Sequence, residues 1–293
     1  MAKLSNSKEA GFFSQTNTMV VRNIDMLSHQ KTKIATLVII PLICAVVVTF
    51  IASDNMFEYY DGTLSGFLTL ICACIFTGVF NSISEIYPER EIIRREYAAC
   101  MNLNAYVMAK MIVQFLICFI QSFILLGVLS VFVTLPEQGI VFENSFIEYF
   151  VTIYLLMLAS DAMGLLISSF VKNASSASII APVVLICQMA FSGALFKLEG
   201  ITKSISSIMV SRWAMEAIGA TSNLNDLPID VSGMPDKILD LYPNLGYDSH
   251  EFNDAYDPTV SHIVLVWIIL TVFAVGCSVI SALMLKRIVK DSR

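Results

Sequence analysis

One compact block of ionisable side chains lies between two long apolar runs. Residues Glu85–Glu96 read Glu-Ile-Tyr-Pro-Glu-Arg-Glu-Ile-Ile-Arg-Arg-Glu, and seven of these twelve are charged. Carboxylates and guanidiniums at that density pair with one another or with a partner surface. They cannot rest in hydrocarbon, where a central charge costs about 2.5–3.5 kcal/mol even on the mildest scale. The block must therefore project from one membrane face. Pro88-Glu89 near its start, Glu91 four residues before Arg95, and Arg94-Arg95 near its end predict a short helix. Ile86, Tyr87, Ile92 and Ile93 give that helix an apolar side to dock with, and such a rigid element beneath a membrane bundle is a handle for a partner protein. The bland alternative is a solvated loop.

Asp161 is the second candidate, an acid about ten residues from the nearer end of its apolar run and so roughly 15 Å deep. An ionisable residue at that depth is a functional hypothesis by default. Proton coupling, contact with a cationic cargo and a pair with Lys110 are all open. So is a neutral acid hydrogen-bonded to Ser160 or to a facing helix. Lys110 itself lies near enough to the end of its run to snorkel. His250-Glu251 with Asp254 offers ligand types for a metal, but the motif is incomplete and reads as solvated surface. No metal site is expected. The sequence has no Gly-x-x-x-x-Gly-Lys phosphate loop, no His-Glu-x-x-His and no nucleophile elbow, so no catalysis and no nucleotide hydrolysis are expected of this chain alone.

The elements that must hold these residues follow from composition. The 293 residues are 56% hydrophobic and 14% charged, against roughly 25% charged in soluble domains. That predicts an all-α polytopic membrane protein. Its net charge of −6 offers nothing to nucleic acid. Seven cysteines lie in or beside apolar runs and signal neither a disulfide framework nor zinc.

Six spans are predicted, at about residues 34–52, 64–84, 106–132, 147–170, 174–196 and 262–285, each near the ~20 residues needed to cross. Lys and Arg concentrate before the first span, between the second and third, and after the last, whereas the loops 53–63 and 135–146 have none. Both termini and the charged block are thus placed in the cytosol, in a plasma membrane. Residues 1–33 form a cytosolic tail in which Phe13, Val20, Ile24 and Leu27 recur at helical spacing, predicting an amphipathic helix along the interface. Residues 34–196 hold spans 1–5 with the charged helix 85–96. Residues 197–261 form an external loop, and 262–293 the last span and a basic cytosolic end. Within the loop, 201–224 is too short and polar to cross and predicts a re-entrant helix pair carrying Arg212, Trp213 and Glu216. Residues 223–261 hold eight acids against one lysine and four prolines, an irregular cap.

The residues also carry a resemblance. Phe80-Asn81, Pro88-Glu89-Arg90, Arg95-Glu96-Tyr97, Asn104-Ala105-Tyr106 and Ala109-Lys110 are similar, in order and spacing, to the second span, coupling helix and third span of G-type (white/pleiotropic drug resistance) ABC transporter membrane domains, which are type-2 exporters. Phe191-Ser192-Gly193-Ala194-Leu195-Phe196 resembles that family's Phe-Ser-Gly motif, and Ser211-Arg212-Trp213 with Glu216-Ala217 resembles the re-entrant segment after it. The resemblance spans roughly residues 10–290.

The resemblance implies a dimer of six-helix permeases, homodimer or heterodimer, in lipid, each working with a cytosolic ATPase that holds ATP and Mg. The short tail before the first span makes that ATPase a separate subunit, the bacterial arrangement, unless the chain is a piece of a longer one. Glu85, Glu89, Arg90, Arg94, Arg95 and Glu96 would form the ATPase-coupling surface. Positions matching the family's cavity are Cys74, Thr77 and Asn81 on span 2 and Ile186, Met189 and Gly193 on span 5. Ala194 and Leu195 match its outer gate. Plain helix packing is the alternative for these positions. A mostly apolar wall with a flexible methionine suits a hydrophobic or amphipathic cargo: drug, lipid or peptide. Pro182 would kink the fifth span. Two other classes stay open: a proton-coupled secondary transporter using Asp161, and a non-transporting membrane immunity or scaffold protein.

Overall fold

The computed structural model describes residues 11–52, 56–136, 138–196, 198–229 and 253–290. Its order is α1 (Phe12–His29), α2 (Lys31–Ala52), α3 (Tyr60–Ser82), α4 (Arg90–Ala98), α5 (Leu103–Phe132), α6 (Ser145–Phe170), α7 (Ala174–Ala190), α8 (Ile201–Ser206), α9 (Val210–Thr221) and α10 (Val260–Lys290). No strand occurs among the described residues. Without water in the bilayer each backbone polar group must be satisfied within its own helix. Five helices (α2, α3, α5, α6 and α10) are long and apolar enough to cross, and α7 is a shorter apolar one. The chain is an all-α polytopic membrane protein.

The fifth predicted span ends early. α7 has 17 residues, about 25 Å of helix, and stops at Ala190 rather than Phe196. Gly193, at φ +85°, takes a backbone conformation that β-carbon sterics deny most residues, so the Phe-Ser-Gly stretch is a turn. Pro182 sits inside α7 without ending it. Asn173 caps α7, its side chain accepting from Ser176 N at 2.9 Å.

α6 is central, packed by α3, α5 and α10. The α3–α6 seam closes over small residues. A β-carbon on Gly164 would lie 2.4 Å from Ser82 Oγ and 2.6 Å from the Val79 carbonyl, so only glycine permits this approach. Ser82 Oγ donates to the Asp161 carbonyl at 2.5 Å across it. Further along, Asn81 Nδ2 donates to Gln121 Oε1 at 2.6 Å, and Gln121 Nε2 donates to the Leu37 carbonyl at 2.9 Å. One buried amide pair thus stitches α3, α5 and α2.

α1 lies against α5 and does so with an unexpected side. Its buried residues are Thr16, Met19 and Asn23. The predicted apolar stripe lies about a fifth of a turn round, leaving Phe13 and Ile24 exposed. The helix therefore has two working sides, a narrow one on the bundle and an apolar one turned outward.

At the other end, Glu148 fixes the loop before α6. Fully buried in the first turn of that helix, it accepts from Ile140 N and Val141 N at 2.9 Å each and from Thr221 Oγ1 at 2.5 Å. One carboxylate so joins a loop, a span and α9. His250 and Glu251 lie outside the described residues; Asp254 stands in a 3-10 turn (Asp254–Tyr256), and no His/Cys/Asp/Glu cluster able to hold a metal occurs among the described residues. Glu148→Ala leaves two backbone donors and a hydroxyl without their acceptor. It is expected to destabilise the protein by about 3 kcal/mol, with Thr221→Val costing about 1 kcal/mol, measured as thermal unfolding in detergent.

Candidate functional site

The charged block folds as a turn followed by a helix. Tyr87–Glu89 form a 3-10 turn with Pro88 at its start, and α4 continues from Arg90 to Ala98. Glu85 precedes both. The block is anchored on the last turn of α6, where Ile86 N and Tyr87 N donate to Ser168 Oγ at 2.9 and 3.2 Å. Arg90 Nη2 donates to the Ser169 carbonyl at 2.6 Å, satisfying one of the acceptors that a helix C-terminus leaves free.

Lys110 is the centre of the anchorage. It is 4% exposed, and its ammonium donates at 2.8 Å to both Glu85 and Glu89. Glu85 also pairs with Lys33 at the start of α2. Tyr106 Oη donates to the other Glu89 oxygen at 2.6 Å. The expectations that Lys110 snorkels or meets Asp161 are corrected: two carboxylates from the block come to it, so it has no need to reach water. Burial works against the charge on Glu85, yet Lys110 and Lys33 together hold its carboxyl below the usual range. A depressed acid stabilises the folded state above its unfolded pKa and loses that contribution as pH falls through its folded value.

α4 has distinct sides. Ile93 is its seat, 1% exposed against the bundle. Glu96, on one flank, pairs with Arg22 of α1 at 2.5 Å. Arg90 and Arg94 form the other flank. Glu91, Ile92 and Arg95 face outward and are exposed. The predicted Glu91–Arg95 pair is replaced by Glu91–Arg94 at 3.0 Å, a spacing of three rather than four. Of the six residues assigned to coupling, Glu85, Glu89, Arg90 and Glu96 bind the block to its own bundle, and Arg95 is the most free to meet another protein.

Beside Lys110, a cavity of about 70 Å³ lies between α1 and α5, lined in part by Asn23, Gln114, Glu85 and Glu89. The Asn23 amide and Gln114 Oε1, both buried, have no partner among the described residues. The space is polar and sized for one or two ordered waters.

A family model described as "ABC-2 type transporter" matches residues 14–221. The chain belongs to the ABC-2 type transporter family. It is also 24% identical, over 233 residues, to the "ABC transporter ATP-binding/permease protein Rv1747" of Mycobacterium tuberculosis (strain ATCC 25618 / H37Rv). That alignment takes in 76% of this chain and 27% of the relative, so the chain spans about a quarter of that protein's length. The matched region makes it a membrane part of a transporter.

The positions read as the pathway of this ABC-2 domain divide in two. Cys74, Thr77 and Asn81 are buried within the bundle. Thr77 Oγ1 lies 3.9 Å from Cys44 Sγ of α2, and Asn81 is engaged with Gln121. Thr77 and Asn81 so face α2 and α5 within this chain, and Cys74 is buried among the spans. The side of α3 left open lies roughly a third of a turn away, with Cys72, Phe76 and Phe80. On α7, Ile186 is 66% exposed, and Met189 packs on this open side with its sulfur 3.4 Å from Cys72 Sγ. Gly193 and Ala194 lie in the turn beyond α7, where Ala194 N donates to Ser192 Oγ, and Leu195 is half-exposed.

The predicted re-entrant pair is α8 and α9. Arg212 Nε donates to Glu216 Oε1 at 2.8 Å, and its guanidinium lies 5.2 Å from the Trp213 ring centre. Trp213 Nε1 donates to the Ser207 carbonyl at 2.9 Å. Burial pushes Glu216 up, against the pull of Arg212, His262 and Lys203. Gln188 was not anticipated: its Oε1 accepts from Ser211 N at 3.1 Å and its carbonyl from Ser211 Oγ at 2.5 Å, clamping α9 to α7. A lone amide in an apolar span was the available signal.

Asp161 is fully buried, and neither carboxylate oxygen has a partner among the described residues. Ser160 Oγ turns to the Leu156 carbonyl, and Ser82 binds the Asp161 backbone, so neither expected side-chain bond forms.

Lys110→Met strips Glu85 and Glu89 of their shared cation. It is expected to cost about 3–5 kcal/mol in thermal unfolding, and adding Glu89→Gln should recover part of that loss.

Proposed function

We propose that this chain is the permease subunit of an ATP-binding cassette exporter. It would form, with a second membrane subunit, the pathway for a hydrophobic or amphipathic cargo such as a drug, lipid or peptide. The drive would come from ATP hydrolysis, with ATP and Mg²⁺ held by a cytosolic ATPase partner. The observation that carries this reading is the division of labour in α4. The turn before it is locked by Lys110, and its two flanks by Arg22 and the end of α6, to the base of the spans, while Glu91, Ile92 and Arg95 stay exposed. A rigidly mounted helix with a free polar side transmits a push without absorbing it. The apolar open side of α3 and α7, with Phe76, Phe80 and Ile186, supports a half-pathway completed by a second subunit.

Arg95→Glu with Ile92→Ala should lower cargo-stimulated ATP hydrolysis and efflux about tenfold or more while leaving thermal unfolding almost unchanged. Unimpaired efflux would overturn the assignment. For topology, Cys100 is exposed just beyond α4 and reports which side that helix occupies. A membrane-impermeant maleimide should label it in inside-out vesicles and not in intact cells.

The orphaned carboxyl of Asp161 keeps a second reading in play, proton-coupled secondary transport. Asp161→Asn preserves the shape and removes the proton site. Efflux that persists in this variant and tracks ATP rather than the proton gradient would exclude that reading.

A further inference from the structure

We propose that the groove between α4, the end of α6 and the end of α10 binds the phosphate headgroup of an anionic phospholipid. The groove has a volume of about 720 Å³ and is lined by Arg90, Arg94, Lys172 and Arg287 over Phe170 and Met284. Among the described residues the lining holds the cations Arg90, Arg94 and Lys172 and the carboxylate Glu91, which is bound to Arg94. The Nε–H groups of Arg90 and Arg94 are enclosed in protein and have no acceptor among the described residues. Burial and then the neighbouring Arg94 push Arg90 below the ordinary guanidinium range, a strain that an anion between them relieves.

The occupant is chosen by what lies beneath the cations. Phe170 is the last residue of α6 and is 53% exposed. Met284 continues an outward apolar track on α10 formed by Ile280 and Leu283, 43% and 56% exposed. The groove therefore changes from hydrocarbon-like to cationic over a single helical turn, as the lipid itself does at the headgroup level. A soluble ATPase offers acidic side chains but no acyl chain to lie along α10. The outer side of α4 that meets the ATPase centres on Ile92 and Arg95, turned away from the Arg90–Arg94 flank.

The inference rests on the reading that this end of the bundle faces the inner leaflet, and its test needs no ATPase. The full chain, purified in detergent, is titrated with dioleoyl phosphatidylglycerol or dioleoyl phosphatidylcholine, and bound lipid is counted by native mass spectrometry. Phosphatidylglycerol should be preferred. Lys172→Gln should weaken its retention about fivefold, the effect of about one surface charge, with phosphatidylcholine unchanged. Lys31→Gln, an exposed charge outside the groove, should leave retention alone. Equal retention of the two lipids, or the same loss with Lys31→Gln, would overturn the proposal. So would Lys172→Cys cross-linking to a co-purified ATPase in a chain that retains no anionic lipid. A defect confined to the Arg95 variant would instead count against the coupling assignment and leave the lipid site standing.

Discussion

A cation enclosed among apolar helices must find its counter-charge inside the protein, and the basic end of this molecule is arranged around that need. Lys110 rises from α5 about two turns beyond its start, too enclosed to reach bulk water. The chain answers with Glu85 and Glu89, brought from the segment that leaves α3. Because those two acids are committed inward, the segment cannot drift as a solvated loop. It is drawn against α5 and α6, and the helix that follows inherits a fixed position. Tyr106, Lys33 and the Ser168–Ser169 corner then add bonds to a geometry already chosen.

Much of this was legible in the sequence because hydrocarbon is a severe filter. Long apolar runs broken by charge can do little except cross and turn, so the helical spans and the projecting block follow from composition. Rotation about a helix axis is another matter. Cys74, Thr77 and Asn81 are polar enough to line a pathway, and polar enough to serve as joints between helices. Only the position of Gln121 and of the Leu37 carbonyl decides that Asn81 is a joint. Lys110 misled for the same reason, since a lysine near a span end snorkels unless acids come to it. α7 stops at Ala190, and the turn that follows it, with Gly193 at positive φ, is concealed by the apolar letters around it.

The two ends of the bundle solve the same problem differently. At the basic end, charges pair across segments in a network of several ions. At the opposite end Glu148 needs no cation: two backbone N–H groups and a hydroxyl satisfy it, and the carboxylate acts as a knot between loop and helix. The difference matters for movement. A knot of directed hydrogen bonds holds one geometry, whereas ion pairs tolerate small shifts in distance and angle. Rearrangement driven from the basic end meets its stiffest resistance where the loop, α6 and α9 are tied.

The double bond between Gln188 and Ser211 has a consequence for how the far end can open. Because both polar groups of one residue are held by the backbone and hydroxyl of another, α7 and α9 are yoked at that point. α7 is the shortest of the apolar helices and bears a proline midway, so it is the member most able to lean. Whatever tilt it undergoes, α9 is dragged along, and with it the Arg212–Trp213 shelf. That end of the bundle would then swing as a hinged door rather than dilate as a ring.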